Sequence, residues 1–174
     1  QYSHFKFFHL CSIFENKIFP KWIGTPWDYN GYTNTPKQST IACGYFVSTT
    51  LKHMGFNWNR YELAKMYSQQ IAEDITDTAF VFDNITQLNT YIRYQPDNLY
   101  IIGLSSHVGL VLKRAGKIWF IHSNYYGNKG PDKENLFESD ALKDSDVFWC
   151  GKFLTPSNIK KWLNGTKYKL LRKK

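Results

Sequence analysis

Residues His107–Asn124 read HVGLVLKRAGKIWFIHSN, two apolar runs joined at Ala115-Gly116. Runs of Val, Leu, Ile, Trp and Phe of this length favour strands, and a two-residue loop ending in glycine marks a tight β-hairpin. Such a loop pairs positions whose numbers sum to 231, so Arg114 faces Lys117 and His107 faces Asn124. Side chains alternate along a strand, which puts Gly109, Val111, Lys113, Ile118, Phe120, His122 and Asn124 on the face of His107. Asn124 then lies directly opposite His107, with His122 on the diagonal. Either can hold one imidazole nitrogen of His107, fixing its tautomer and leaving the other nitrogen free to take a proton.

Working outward, further strand-like runs are predicted at Leu99–Leu104 and Val147–Leu154, flanking hairpin strands at His107–Lys113 and Ile118–His122. The chain before Asp97 reads as helices. Tyr2–Ile23 has loosely helical apolar spacing that Pro20 and Gly24 end, and Gly24–Gln38 is a long irregular loop rich in Gly, Pro, Asn and Thr. Ser39 and Thr40 offer N-caps to a helix with Cys43 in its first turn and a stop at Gly55. Asn59 caps a run with Tyr61, Leu63 and Met66, Asp83 opens another ending before Pro96, and Thr155-Pro156 starts a last helix reaching Leu163. Helices first and strands second is the order of an α+β fold, a single domain over 1–174.

Composition narrows the function. With 43% hydrophobic residues and 18% aromatic ones, the chain has ample volume for a core, which excludes wholesale disorder. The charge-free stretch Asn98–Leu112 is too short and too polar to span a bilayer. The net charge of +8 suggests an anionic partner. Its distribution is uneven, because Lys160, Lys161, Lys167, Lys169, Arg172, Lys173 and Lys174 all fall in 159–174 with no acid among them. The rest of the chain is nearly neutral, so the basicity belongs to a C-terminal helix and tail suited to holding the chain at an anionic cell-wall or membrane surface.

Three widely spaced cysteines, Cys11, Cys43 and Cys150, do not make a metal site, and nothing in the sequence asks for a cofactor. Cys11 and Cys150 read as core thiols. Cys43 differs, because a helix N-terminus stabilises a thiolate and is expected to lower its pKa. A cysteine with an oriented histidine is the pair that acyl transfer from an amide or ester requires. The backbone N–H of Cys43 can serve the oxyanion, with a second donor expected from the loop before it, Gln38 foremost. Asp28 reads as an Asx-turn residue.

Three segments resemble the NlpC/P60 cell-wall hydrolases, cysteine peptidases of papain-like fold. Gly24-Thr25-Pro26-Trp27-Asp28-Tyr29-Asn30-Gly31 is similar to the family's Gly-Thr-Pro-Tyr-x-Trp-Gly-Gly loop, and Ile41-Ala42-Cys43-Gly44-Tyr45-Phe46-Val47 to its Asp-Cys-Ser-Gly-Phe-Val nucleophile helix. His107-Val108-Gly109-Leu110-Val111-Leu112, with Phe120-Ile121-His122-Ser123 after it, is similar to its histidine hairpin. The resemblance implies Cys43 as nucleophile, His107 as base and His122 as orienting residue, with Asn124 the alternative third residue. It also implies a peptide bond of peptidoglycan as substrate and a secreted or periplasmic protein, with which a chain beginning at Gln1 after removal of a leader agrees. The departures are Ala42 in place of the family's aspartate, no serine after the cysteine, a longer loop before Cys43, and Trp27 in place of a tyrosine hydroxyl. Either the oxyanion donor moves to Gln38, Tyr29 or Asp28, or the substrate is bound differently. Two alternatives are the same fold acting on another acyl compound (protein, isopeptide or lipid ester), and a non-catalytic basic, aromatic-rich nucleic-acid-binding protein.

Overall fold

The computed structural model describes residues 2–171. Its centre is a six-stranded, wholly antiparallel sheet in the order β1-β6-β2-β3-β4-β5. The strands are β1 (Ala79–Phe82), β2 (Asn98–Leu104), β3 (Val108–Arg114), β4 (Lys117–Asn124), β5 (Gly130–Asn135) and β6 (Phe148–Lys152). The hairpin register is the one the sequence predicts, with Arg114 paired to Lys117 and Leu110 to Ile121. Ala115 and Gly116 both have positive φ, 50° and 74°, the twist a two-residue hairpin loop needs. The backbone N–H of Ala115 donates to Asp97 at 2.8 Å, which helps hold a non-glycine residue in that conformation.

Helices cover both faces. On one lie α1 (Tyr2–Ile13), a π turn (Phe14–Ile18), α2 (Phe19–Trp22), α3 (Cys43–His53), α4 (Arg60–Ala64) and α5 (Ser68–Ile75). Their buried residues, among them Phe14, Trp22, Phe46 and Leu51, pack with Leu99, Ile101, Leu110 and Ile121. On the other face α6 (Ile85–Tyr94) and α7 (Asp140–Lys143) pack Leu88, Ile92 and Leu142 against Tyr100, Val111, Phe120 and Phe148. The α+β class is therefore as expected, with helices on both sides of the sheet. No helix among the described residues is long and apolar enough to cross a membrane.

Local expectations shift in instructive ways. The first helical run passes Pro20, which sits in the first turn of α2 where its missing N–H is not required, and stops at Trp22. Phe8 does not join the buried stripe; it is exposed, with the Arg114 guanidinium 4.5 Å over its ring. Neither Ser39 nor Thr40 caps α3. Thr33 N–H donates to the Thr40 carbonyl at 3.1 Å and Ala42 N–H to that of Gly31 at 2.9 Å, holding this segment extended, so Ala42 becomes an N-cap without a side-chain bond. Asn84 rather than Asp83 caps α6, accepting from Gln87 N–H at 2.9 Å. Asn59 caps α4 as predicted, accepting from Tyr61 and Glu62.

Lys113, buried on the histidine face of β3, closes the other end of α6. Its Nζ donates to the carbonyls of Ile92, Arg93 and Gln95 at 3.0, 2.6 and 2.5 Å, satisfying acceptors a helix C-terminus leaves open. Helix α8 (Pro156–Leu163) forms where expected, but the described residues beyond it, to Leu171, are no free tail. Tyr168 is buried, its hydroxyl donating to Asn158 at 2.7 Å, and Leu171 N–H donates to Asp74 at 2.6 Å. Arg172, Lys173 and Lys174, three of the basic residues singled out in the sequence, lie outside the described residues.

Candidate functional site

Cys43 is the first residue of α3, and its thiol meets backbone N–H groups of Val108, Gly44 and Cys43 itself. The helix starts there because residues 31–42 are held in bridging contacts, and Gly44 lets it lie against Ala64: a Cβ at 44 would come within 2.4 Å of the Ala64 carbonyl oxygen. A cleft of about 1180 Å³ opens over this helix end, walled by Trp27, Cys43, Tyr45, His107, Tyr125 and Trp149 among others. Tyr29, Tyr32, Tyr61 and Tyr67 add further aromatic rings to its wall.

His107 stands immediately before β3 and is buried. Its Nε2 lies 2.7 Å from Nδ1 of His122, so His107 is held by the diagonal partner and not by Asn124. Gly109 makes the approach possible, because a Cβ there would stand 2.5 Å from the Phe120 ring and 3.0 Å from the His122 Cβ. Phe120 stacks on His122 at 4.3 Å between centroids, and Tyr125 meets His107 edge-on at 5.1 Å. With Nε2 engaged by His122, Nδ1 is the nitrogen of His107 left for the cleft. No hydrogen bond joins Cys43 to His107 among the described residues.

Sequence reasoning missed Glu134. It lies on β5, whose register puts it opposite Phe120 and diagonal to His122. Its Oε2 is 2.9 Å from His122 Nε2, and its Oε1 accepts from Asn124 Nδ2 at 3.0 Å. Asn124 therefore supports the carboxylate, while its own Oδ1 accepts from Tyr126 N–H at 2.9 Å and closes the end of β4. Burial is the largest single influence on Glu134 and works against its ionisation, yet the bond to His122, with help from Ser139 and Lys129, holds the carboxyl down at about 2. The signal that would have found Glu134 is weak, since Gly130-Pro131-Asp132-Lys133-Glu134-Asn135 is no β-former by composition. Pro131 is tolerated because β5 is an edge strand.

The remaining candidates separate. Trp27 lines the cleft, and its indole N–H is buried without a hydrogen-bond partner. Asp28 accepts from Asn30 N–H at 2.8 Å, the expected Asx turn. Gln38 is exposed on its loop and is not on the cleft wall, so the structure does not bring it to Cys43. The reason is the extended excursion before α3, which turns the Thr35–Gln38 tip outward.

The electrostatics correct one expectation. Burial pushes the Cys43 thiol above its ordinary value; the three backbone N–H groups oppose this without reversing it. Burial, reinforced by the neighbouring His122, pushes His107 well below its ordinary value. Both shifts favour the uncharged forms, a neutral thiol and a neutral imidazole, at these two cleft residues. Burial also pushes the Cys11 thiol up to about 12 and that of Cys150 higher still, and both lie in the core, off the cleft wall. No protein-family model, curated protein or solved structure matches the chain.

Proposed function

We propose that the chain is a cysteine hydrolase of papain-like fold, related to the NlpC/P60 enzymes, that cleaves an amide bond. The observation that carries this reading is that Cys43, at a helix N-terminus, and His107, held at Nε2 by His122, open on one cleft. Nδ1 of His107 takes the proton of the thiol as sulfur attacks the carbonyl carbon, and returns it to the leaving amine. Water then releases the acyl group from Cys43 with His107 again as base. The backbone N–H of Cys43 and the unpartnered indole N–H of Trp27 are the donors assigned to the oxyanion, Trp27 standing in for Gln38.

The substrate assigned by the resemblance is a stem or cross-bridge peptide of peptidoglycan, in a secreted or periplasmic setting, with the C-terminal cations holding the enzyme at an anionic wall or membrane surface. An aromatic-walled cleft suits a substrate with apolar and hydrogen-bonding parts. The test is digestion of purified sacculi, soluble stem peptides, isopeptides and lipid esters, with Cys43→Ala as control. Release of new amino groups from sacculi or stem peptides, abolished in Cys43→Ala, supports the reading. Turnover of another acyl class alone moves the substrate, and Cys43→Ala turning over at the parent rate ends the proposal.

A further inference from the structure

Glu134 is a carboxylate that the proposed chemistry does not use, yet it is bonded to the second histidine from behind. An ionised carboxylate only accepts, so Nε2 of a neutral His122 carries its hydrogen and Nδ1 bears a lone pair. That lone pair accepts from His107, so Nε2 of His107 carries the hydrogen and its Nδ1 lone pair is presented to the cleft. The carboxylate and the two histidines thus select the one tautomer of His107 able to take a proton from Cys43.

We infer that Glu134 is a positioning residue that acts through His122, and that His122 carries the positive charge when the thiol ionises. The inference rests on Cys43 as nucleophile and His107 as its base. The S–H bond of Cys43 breaks and its proton goes to Nδ1 of His107, while the Nε2 proton of His107 passes to Nδ1 of His122. His107 ends neutral with its hydrogen on Nδ1, and His122 becomes an imidazolium 2.9 Å from Glu134. Protonation of the leaving amine by His107 Nδ1 and return of the proton from His122 restore the starting tautomers. Geometry favours this site for the charge: both rings are buried among aromatic neighbours, and of the two only His122 has a carboxylate at its outer nitrogen. The other ionisable groups around the pair are Cys43 and Tyr125 on the cleft side, Asp132 opposite His122 on β5, and Lys129, which is ion-paired with Asp132.

The experiment uses ¹⁵N-histidine NMR and alkylation of Cys43 by iodoacetamide. In the parent protein near pH 7, His107 and His122 are both expected as Nε2–H tautomers; His107 protonated at Nδ1 at rest overturns the proposal and needs no variant. In Glu134→Gln, loss of the charge is expected to lower the titration of the histidine pair by about 1 pH unit and to slow alkylation at pH 7 about 10-fold, with the fold retained by circular dichroism. An unshifted titration with parent-like alkylation overturns the role of Glu134 and leaves the nucleophile reading intact. Alkylation that His107→Ala fails to slow overturns the base assignment beneath it, and the relay with it.

Discussion

Nε2 of His107 lies 2.7 Å from Nδ1 of His122, with the two rings nearly perpendicular at 88°. In the proposed mechanism the pair fixes the direction of proton transfer, because His107 has Nε2 committed to His122 and only Nδ1 left to act as base. In His122→Ala the buried Nε2 of His107 loses its partner and the ring its orientation. The expected outcome is a fall in kcat/KM on the order of 100-fold, with folding retained by circular dichroism. Asn124→Ala, which touches only Glu134 and the turn, should cost much less. An Asn124→Ala defect equal to that of His122→Ala would contradict the ranking.

Stability should fall with acid in two steps. His107 is pushed below its ordinary value of 6.5 by burial, so the unfolded chain takes the proton first and stability declines as pH drops below that value; His53, lowered by burial as well, acts in the same direction. Glu134 is depressed from 4.5 to about 2, so its contribution is complete above 4.5 and disappears as pH falls toward 2. Urea midpoints at pH 7, 5.5 and 3.5 check this: His107→Gln should flatten the first decline and Glu134→Gln the second. A parent midpoint unchanged from pH 7 to 5.5 would contradict it.

Gly109→Ala tests the packing that lets the histidines meet. The added Cβ would meet Phe120 at 2.5 Å and His122 at 3.0 Å, so the rings must move. Destabilisation of about 1–3 kcal/mol by urea unfolding is expected, together with a larger loss of turnover than folded fraction explains.

The β3–β4 register is readable from the sequence because Ala115-Gly116 fixes the loop length, and the register fixes which residues share a face. That arithmetic narrows the partner of His107 to Asn124 or His122 and does not choose between them. Glu134 is not readable, since β5 pairs with β4 only through tertiary contacts and carries no hydrophobic alternation. Strand β1 (Ala79–Phe82) escapes for a different reason: four apolar residues without alternation do not distinguish a strand from part of a helix. The thiol's raised pKa is invisible because the helix N-terminus is written in the sequence and the burial around it is not.

The basic C-terminus needs a different test from simple truncation. Tyr168 is buried and bonded to Asn158, so cutting after Leu163 removes a core side chain along with the charge. Tyr168→Ala should lower the melting temperature, whereas Lys160→Glu with Lys169→Glu, both exposed, should leave it unchanged and weaken retention on anionic sacculi in a salt-dependent way. Retention unaffected by the double charge reversal would remove the anchoring role.

All of the proposed chemistry depends on His107 activating Cys43. The rate of Cys43 alkylation by iodoacetamide near pH 7.5, read by mass spectrometry of native protein in the parent chain and in His107→Ala, measures that dependence directly. Selective labelling of Cys43 is expected, with buried Cys11 and Cys150 unlabelled, and a slowing on the order of 100-fold without the imidazole. Labelling of Cys43 at the same rate in both proteins would contradict it.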